Sequence, residues 1–163
     1  MWSGLEPTKD QFNDTYLQEL GNIVNAAGDA GIYTLLEFHQ KVLSASFCGI
    51  GLPPWLIHED NRYKTFPFPI EKEKYPISDD WIPDREHCKR HNTSTYLYSY
   101  DCAQGFEELY HEGSCFFRQM TKAWLKVAEH FKGNKYVIAY DLLNEPWVGN
   151  QIRNPFLLIP GVA

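Results

Sequence analysis

Two short apolar runs, each ending abruptly in polar residues, set the pattern of the chain. The second, Tyr136-Val137-Ile138-Ala139-Tyr140-Asp141-Leu142-Leu143-Asn144-Glu145-Pro146-Trp147, begins with the length and the β-branched and aromatic content of a buried strand, and it follows the turn-like Gly133-Asn134-Lys135. Pro146 has no N–H and restricts its predecessor, so the strand is expected to stop at Glu145. The first run, Ile32-Tyr33-Thr34-Leu35-Leu36, is near-continuous, as expected of a strand buried on both faces of a parallel sheet. It gives way to Glu37-Phe38-His39-Gln40-Lys41.

Helical spacing accounts for much of the rest. After a loop over residues 3–13, with Asp14 as the expected cap, Tyr16, Leu17, Leu20, Ile23, Val24 and Ala27 recur every three or four positions and lay an apolar stripe along a helix. Gly28 and Gly31 bracket its end. A second stripe runs through Phe106, Leu109, Tyr110, Phe117, Met120, Trp124, Val127, Ala128 and Phe131 and predicts an amphipathic helix covering the sheet. The order is helix, strand, long loop, helix, strand: an α/β chain with both strands parallel.

The long loop, residues 44–101, has no sustained period and carries six prolines. So long a connection is expected inside a domain only where it is functional. Phe47, Trp55, Tyr63, Phe66, Phe68, Tyr75, Trp81, Tyr96, Tyr98 and Tyr100 are too many aromatics for a solvated tether. The segment therefore reads as a packed, substrate-lining loop.

Composition narrows the function. With 163 residues, 44% of them hydrophobic and 15% aromatic, there is ample material for a core. Twenty-one acidic against fifteen basic residues, a formal charge of −6, argue against a nucleic-acid groove or a polybasic membrane patch. No apolar run approaches the roughly 18 residues of a transmembrane span, and the first seven residues lack the charged and apolar regions of a signal peptide. Cys48, Cys88, Cys102 and Cys115 allow three connectivities, among them a staple of the polar loop between Cys88 and Cys102. Cys88, His91, Cys102 and Cys115 lack a second short ligand spacing, which argues against zinc. Asn13-Asp14-Thr15 and Asn92-Thr93-Ser94 are glycan-acceptor tripeptides if the chain is secreted.

Parallel strands place their ends on one side of a sheet. Glu37, His39, Asn144 and Glu145 are accordingly expected to share a face, with the long loop arching over them. An asparagine beside a carboxylate suits a hydroxyl-rich ligand, and a carboxylic acid with a raised pKa protonates a leaving oxygen. Sugar chemistry fits.

Asn144-Glu145-Pro146-Trp147 after Tyr140-Asp141-Leu142-Leu143, together with Leu35-Leu36-Glu37-Phe38-His39-Gln40, resembles glycoside hydrolase family five and specifically its endoglycoceramidase branch. Met1-Trp2-Ser3-Gly4-Leu5-Glu6-Pro7, Phe66-Pro67-Phe68-Pro69 and Pro155-Phe156-Leu157-Leu158-Ile159-Pro160-Gly161-Val162-Ala163 are similar to that branch as well. The resemblance implies a partial TIM (β/α)8 barrel, from the tail of strand two at Met1-Trp2 through strand four and its following loop, within a single catalytic domain. It implies a retaining β-glycosidase that needs no cofactor or metal and cleaves the bond between glycan and ceramide, with a glycosphingolipid or another β-glycoside as substrate; no residue pattern points to a protein partner. By the same resemblance Glu145 matches the general acid/base, and Asn144, His39, Glu37 and Trp147 match substrate-binding positions. Glu37 and Lys41 depart from the branch pattern Asp-x-His-Gln-Asp, which bears on sugar contacts and specificity. Retention needs two carboxylates about 5–5.5 Å apart, and the nucleophile that ends the seventh strand has no match here. A whole barrel takes about 250 residues, so the sequence reads as an internal fragment of a secreted or lysosomal parent. The competing reading is a non-catalytic carbohydrate- or glycolipid-binding barrel relative, or an inactive truncated product.

Overall fold

The structure is a computed structural model that describes residues 2–59 and 63–161. Met1, Val162 and Ala163, on which part of the expected resemblance falls, lie outside the described residues.

The chain opens with a short helix, α1 (Trp2–Leu5), so the strand tail expected at Met1-Trp2 is not formed at Trp2. Trp2 is instead buried, and its indole Nε1 donates to Glu6 Oε2 at 2.9 Å. Helix α2 (Asp14–Asp29) is capped by Asn13 and not by Asp14: Asn13 is extended at φ −89°, and its Oδ1 accepts from Tyr16 N at 3.0 Å. A cap residue has to stand outside the helical dihedrals to reach the free N–H groups of the first turn, and Asp14 is already helical.

Strands β1 (Thr34–Glu37) and β2 (Val137–Asp141) pair in parallel, Leu36 against Tyr140 and Glu37 against Asp141. The register shifts between Thr34, which faces Val137, and Leu35, which faces Ala139, so β2 carries one extra residue at that point. The expected burial on both faces is not observed. Leu36 is 2% exposed, but Leu35 is 52% and Ile138 65% exposed, because the described helices cover the sheet from the side that Leu36 faces. There Phe38 is stacked between Trp2, 5.9 Å away, and Trp124, 4.0 Å away.

The second stripe belongs to two helices. α5 (Tyr100–Tyr110) and α6 (Cys115–His130) are separated at residues 111–114, where Ser114 Oγ accepts from Phe117 N at 2.9 Å and starts a new helix. Both helices turn apolar residues inward, Phe106 and Leu109 from one and Phe116, Trp124 and Val127 from the other. Just after the break the buried ring is Phe116, not the Phe117 of the expected stripe, while Trp124 and Val127 fall where the stripe put them.

The expected 44–101 loop is packed, and it contains short elements: 3-10 turns at Ala45–Phe47 and Thr93–Tyr98, α3 (Pro54–His58) and α4 (Arg85–Cys88). It ends where α5 begins at Tyr100. Phe47, Tyr63, Phe66, Tyr75 and Tyr96 are buried and meet one another at ring distances between 5.4 and 6.1 Å. A disulfide joins Cys48 to Cys88, not Cys88 to Cys102, and Cys102 is a buried free thiol. Cys48 stands at the left-handed end of its 3-10 turn with its Cα 5.3 Å from that of Cys88, a proximity that only the fold of the loop creates. No described helix is long and apolar enough to cross a membrane.

Candidate active site

The polar ends of the two strands do come together. Beyond β1, Phe38 N donates to Asp141 O at 3.2 Å, and Asn144 N donates back to Phe38 O at 3.3 Å, so the two segments stay joined past the last ladder pair. β2 stops at Asp141, four residues earlier than expected from Pro146. The intervening residues turn the chain: Asp141 Oδ1 accepts from Leu143 N at 3.3 Å, and Trp124 Nε1 holds Leu142 O at 3.1 Å. Proline fixes only where a ladder must end at the latest, so nothing in the order of residues marks this earlier turn.

Glu145 has φ +41°, in the left-handed region. A residue before proline ordinarily adopts an extended conformation, and a non-glycine residue in left-handed backbone costs on the order of 1–3 kcal/mol. The side chain is exposed and borders a cavity of about 300 Å³ shared with Gln40, Lys41, Ser94, Leu97 and Trp147. Ser94 and Leu97 come from the long loop, which thus reaches the cavity beside Glu145, while Glu37, His39 and Asn144 do not line it. Asn144 is half-buried, and its Nδ2 donates to Gln40 O at 3.0 Å. His39 Nδ1 lies 3.2 Å from Glu37 Oε1. The two residues alternate along one extended segment, so they share a face. Among the described residues no hydrogen bond joins this pair to Asn144 or Glu145.

Trp147 stands edge-on to Tyr98, with ring centroids 5.2 Å apart, and its Nε1 donates to Gln151 Oε1 at 3.0 Å. The hydroxyl of Tyr110 donates to the Trp147 carbonyl. On its other side Trp147 borders a larger cavity of about 830 Å³, with Glu107, Tyr110, Arg153 and Leu157 among its walls. Glu145 does not line that space.

Gln40 is the site residue that sequence reasoning left without a role. It is 2% exposed, and its Nε2 donates to the carbonyls of Asn144 at 2.7 Å and Glu145 at 3.1 Å, while its Oε1 accepts from Leu43 N at 2.8 Å. Its place in the Glu37-Phe38-His39-Gln40 motif was the available signal, but an uncharged amide carries no chemistry that points to such a task. Lys41 pairs through its backbone with Ile50, at 2.9 and 2.8 Å, and contributes to the wall beside Glu145.

Known proteins resemble this chain throughout. It is 40% identical to an endoglycoceramidase of Cyanea nozakii and 36% identical to an endoglycoceramidase of Hydra vulgaris, each over its whole length. It spans about a third of either relative, 32% and 31%. Among solved structures, endo-glycoceramidase II from Rhodococcus sp. in complex with ganglioside GM3 superposes with a TM-score of 0.66 at 22% identity, over 96% of this chain and 33% of that one. A crystal structure of an endogalactoceramidase superposes with a TM-score of 0.56 at 24% identity, over 91% of this chain and 30% of that one. At such identities the two structures speak for the fold: the parallel pair and its helices form part of a (β/α)8 barrel. The model of the family Cellulase (glycosyl hydrolase family 5) matches residues 1–154, and the chain belongs to that family.

Proposed function

We propose that this chain carries the acid/base half of a retaining β-glycosidase site that cleaves the bond between glycan and ceramide in glycosphingolipids. The observation that carries the reading is Glu145. It is an exposed carboxylate held in left-handed backbone where two parallel strands end, beside a cavity, in a chain 40% identical to an endoglycoceramidase.

Ceramide leaves as an alkoxide, a poor leaving group, unless its oxygen is protonated as the bond from the anomeric carbon breaks. Glu145 in its acid form supplies that proton. In the second half-reaction its carboxylate takes a proton from the water that attacks the glycosyl-enzyme. Asn144 uses one N–H on Gln40 O, so its Oδ1 and remaining N–H are left for the sugar 2-hydroxyl. The Glu37–His39 pair serves neighbouring hydroxyls, and Trp147 offers an aromatic wall. The nucleophile is assigned to no residue of this chain. The Cys48–Cys88 disulfide supports an oxidising compartment, secreted or lysosomal, for the whole protein.

The test is the full-length protein incubated with lactosylceramide in detergent. Release of free lactose and ceramide, with the β-configuration retained in the first sugar product, is expected. Glu145→Gln should lower the rate roughly 10²–10⁴-fold. Saturable binding with no release would instead identify a carbohydrate-binding relative.

A further inference from the structure

The backbone around Glu145 does what an extended chain does not. In a strand, successive carbonyls point to opposite sides, yet the carbonyls of Asn144 and Glu145 both accept from one donor, Gln40 Nε2, at 2.7 and 3.1 Å. The φ of +41° at Glu145 turns the two peptide planes toward a common side. Carbonyl oxygens only accept and Leu43 N only donates, so the chemistry of its partners fixes which end of the Gln40 amide faces which. The return bond, Asn144 Nδ2 to Gln40 O at 3.0 Å, makes the clamp reciprocal.

Gln40 itself has little freedom. It is buried, its Oε1 is tied to the backbone of the following turn, and Gly51 packs against it so closely that a Cβ on Gly51 would fall 2.6 Å from Gln40 Cβ. The rigid partner in this contact is therefore the segment after β1, and the segment after β2 is held to it.

We propose that Gln40 is a positioning residue for proton transfer: its amide holds residues 144–145 in the left-handed turn that aims the Glu145 carboxyl at the glycosidic oxygen. The proposal rests on the reading of Glu145 as the acid. It assigns to Gln40 no contact with substrate and no proton of its own. Without the clamp, the residue before Pro146 relaxes toward extended backbone and the carboxyl swings away from the leaving oxygen.

A misaimed acid is felt only by substrates that need it. In the full-length protein, Gln40→Met keeps the side-chain length and removes the donor. With lactosylceramide, kcat/KM, which reports the first bond-breaking step, should fall roughly 10–100-fold. With 2,4-dinitrophenyl β-lactoside, whose phenolate departs unprotonated, it should fall less than about threefold. An equal fall on both substrates, or no fall on either, overturns the proposal. Gln40→Leu, which removes both amide donors with a side chain that carries no proton to replace them, provides the same comparison should the methionine variant not fold. Glu145→Gln measured in parallel separates the two claims. If it lacks the leaving-group dependence, the acid assignment fails and the clamp with it; if only the Gln40 variants lack it, positioning alone fails.

Discussion

Between β1 and α5 the chain buries Phe47, Tyr63, Phe66, Tyr75 and Tyr96 to 4% exposure or less, whereas Leu35 and Ile138 in the strands remain 52% and 65% exposed. The irregular excursion thus holds a buried aromatic core of its own, even though Phe68, Trp81 and Tyr98 stay 48%, 47% and 50% exposed, and the regular sheet is held by its ladder and by packing on one face. The excursion also carries the Cys48–Cys88 disulfide and is tied to α5, whose buried Asp101 carboxylate accepts from Thr65 N at 2.7 Å and Thr65 Oγ1 at 2.8 Å. The strand ends carry exposed Glu145 and His39. The lesson is a division of labour: buried aromatic packing concentrates in the excursion, and the chemistry that we propose lies at the strand ends. Substitutions in one region should unfold the chain, and those in the other should silence it.

The sharpest way to break that comparison is Glu145→Gln in the full-length protein, which on the proposed reading should remove roughly 10²–10⁴-fold of the glycosidase rate with no fall in melting temperature. A matching loss of stability would place a structural role at the strand end. Next in size, Phe47→Ala in the excursion should cost about 3–5 kcal/mol in denaturant unfolding, as a buried ring with Tyr63 and Phe66 against it is lost. A cost near 1 kcal/mol would mean the excursion is no core. Replacing both Cys48 and Cys88 by alanine removes the link across 40 residues and should cost about 2–4 kcal/mol, read in the same titration against the parent with and without reductant.

Smaller effects sharpen the picture. Tyr96→Phe deletes a hydroxyl that lies 3.1 Å from His87 O, 3.2 Å from Cys88 O and 3.1 Å from Tyr75 Oη, and should cost about 1–3 kcal/mol. The smallest expected effect is a pH dependence at His58. Burial against Trp81, with ring centroids 4.1 Å apart, lowers its pKa from 6.5 to about 4. The unfolded chain therefore takes up this proton first as the pH falls, so the contribution is complete above about 6.5 and is lost as the pH drops toward 4. In His58→Phe the melting temperature should decline less across that window than in the parent; parallel declines would exclude His58 as a source.

Much of the architecture was legible in the order of residues. The stripes through Leu17 and Val24 and through Trp124 and Val127 mark buried helix faces because an amphipathic helix must bury its apolar side, although Ile23 of the first is 66% exposed and Phe116 is buried where the second stripe named Phe117. Two apolar runs separated by helical pattern imply parallel pairing, and parallel pairing alone brings the residues after Glu37 beside those after Asp141. That logic is local periodicity plus one topological rule, and it needed no coordinates.

What the sequence left open are matters of distance and of backbone hand. Spacing does not say which cysteines meet, since Cys48 reaches Cys88 only after the aromatic excursion has folded back on itself. Nor does an apolar stripe record the break at residues 111–114, because both helices face the same core. At the site, the residue types of Asn144 and Glu145 suggest the chemistry that we propose. The left-handed turn that presents Glu145, and the buried Gln40 amide that holds it, exist only in three dimensions. A hydrogen bond across 105 residues leaves no mark on local pattern.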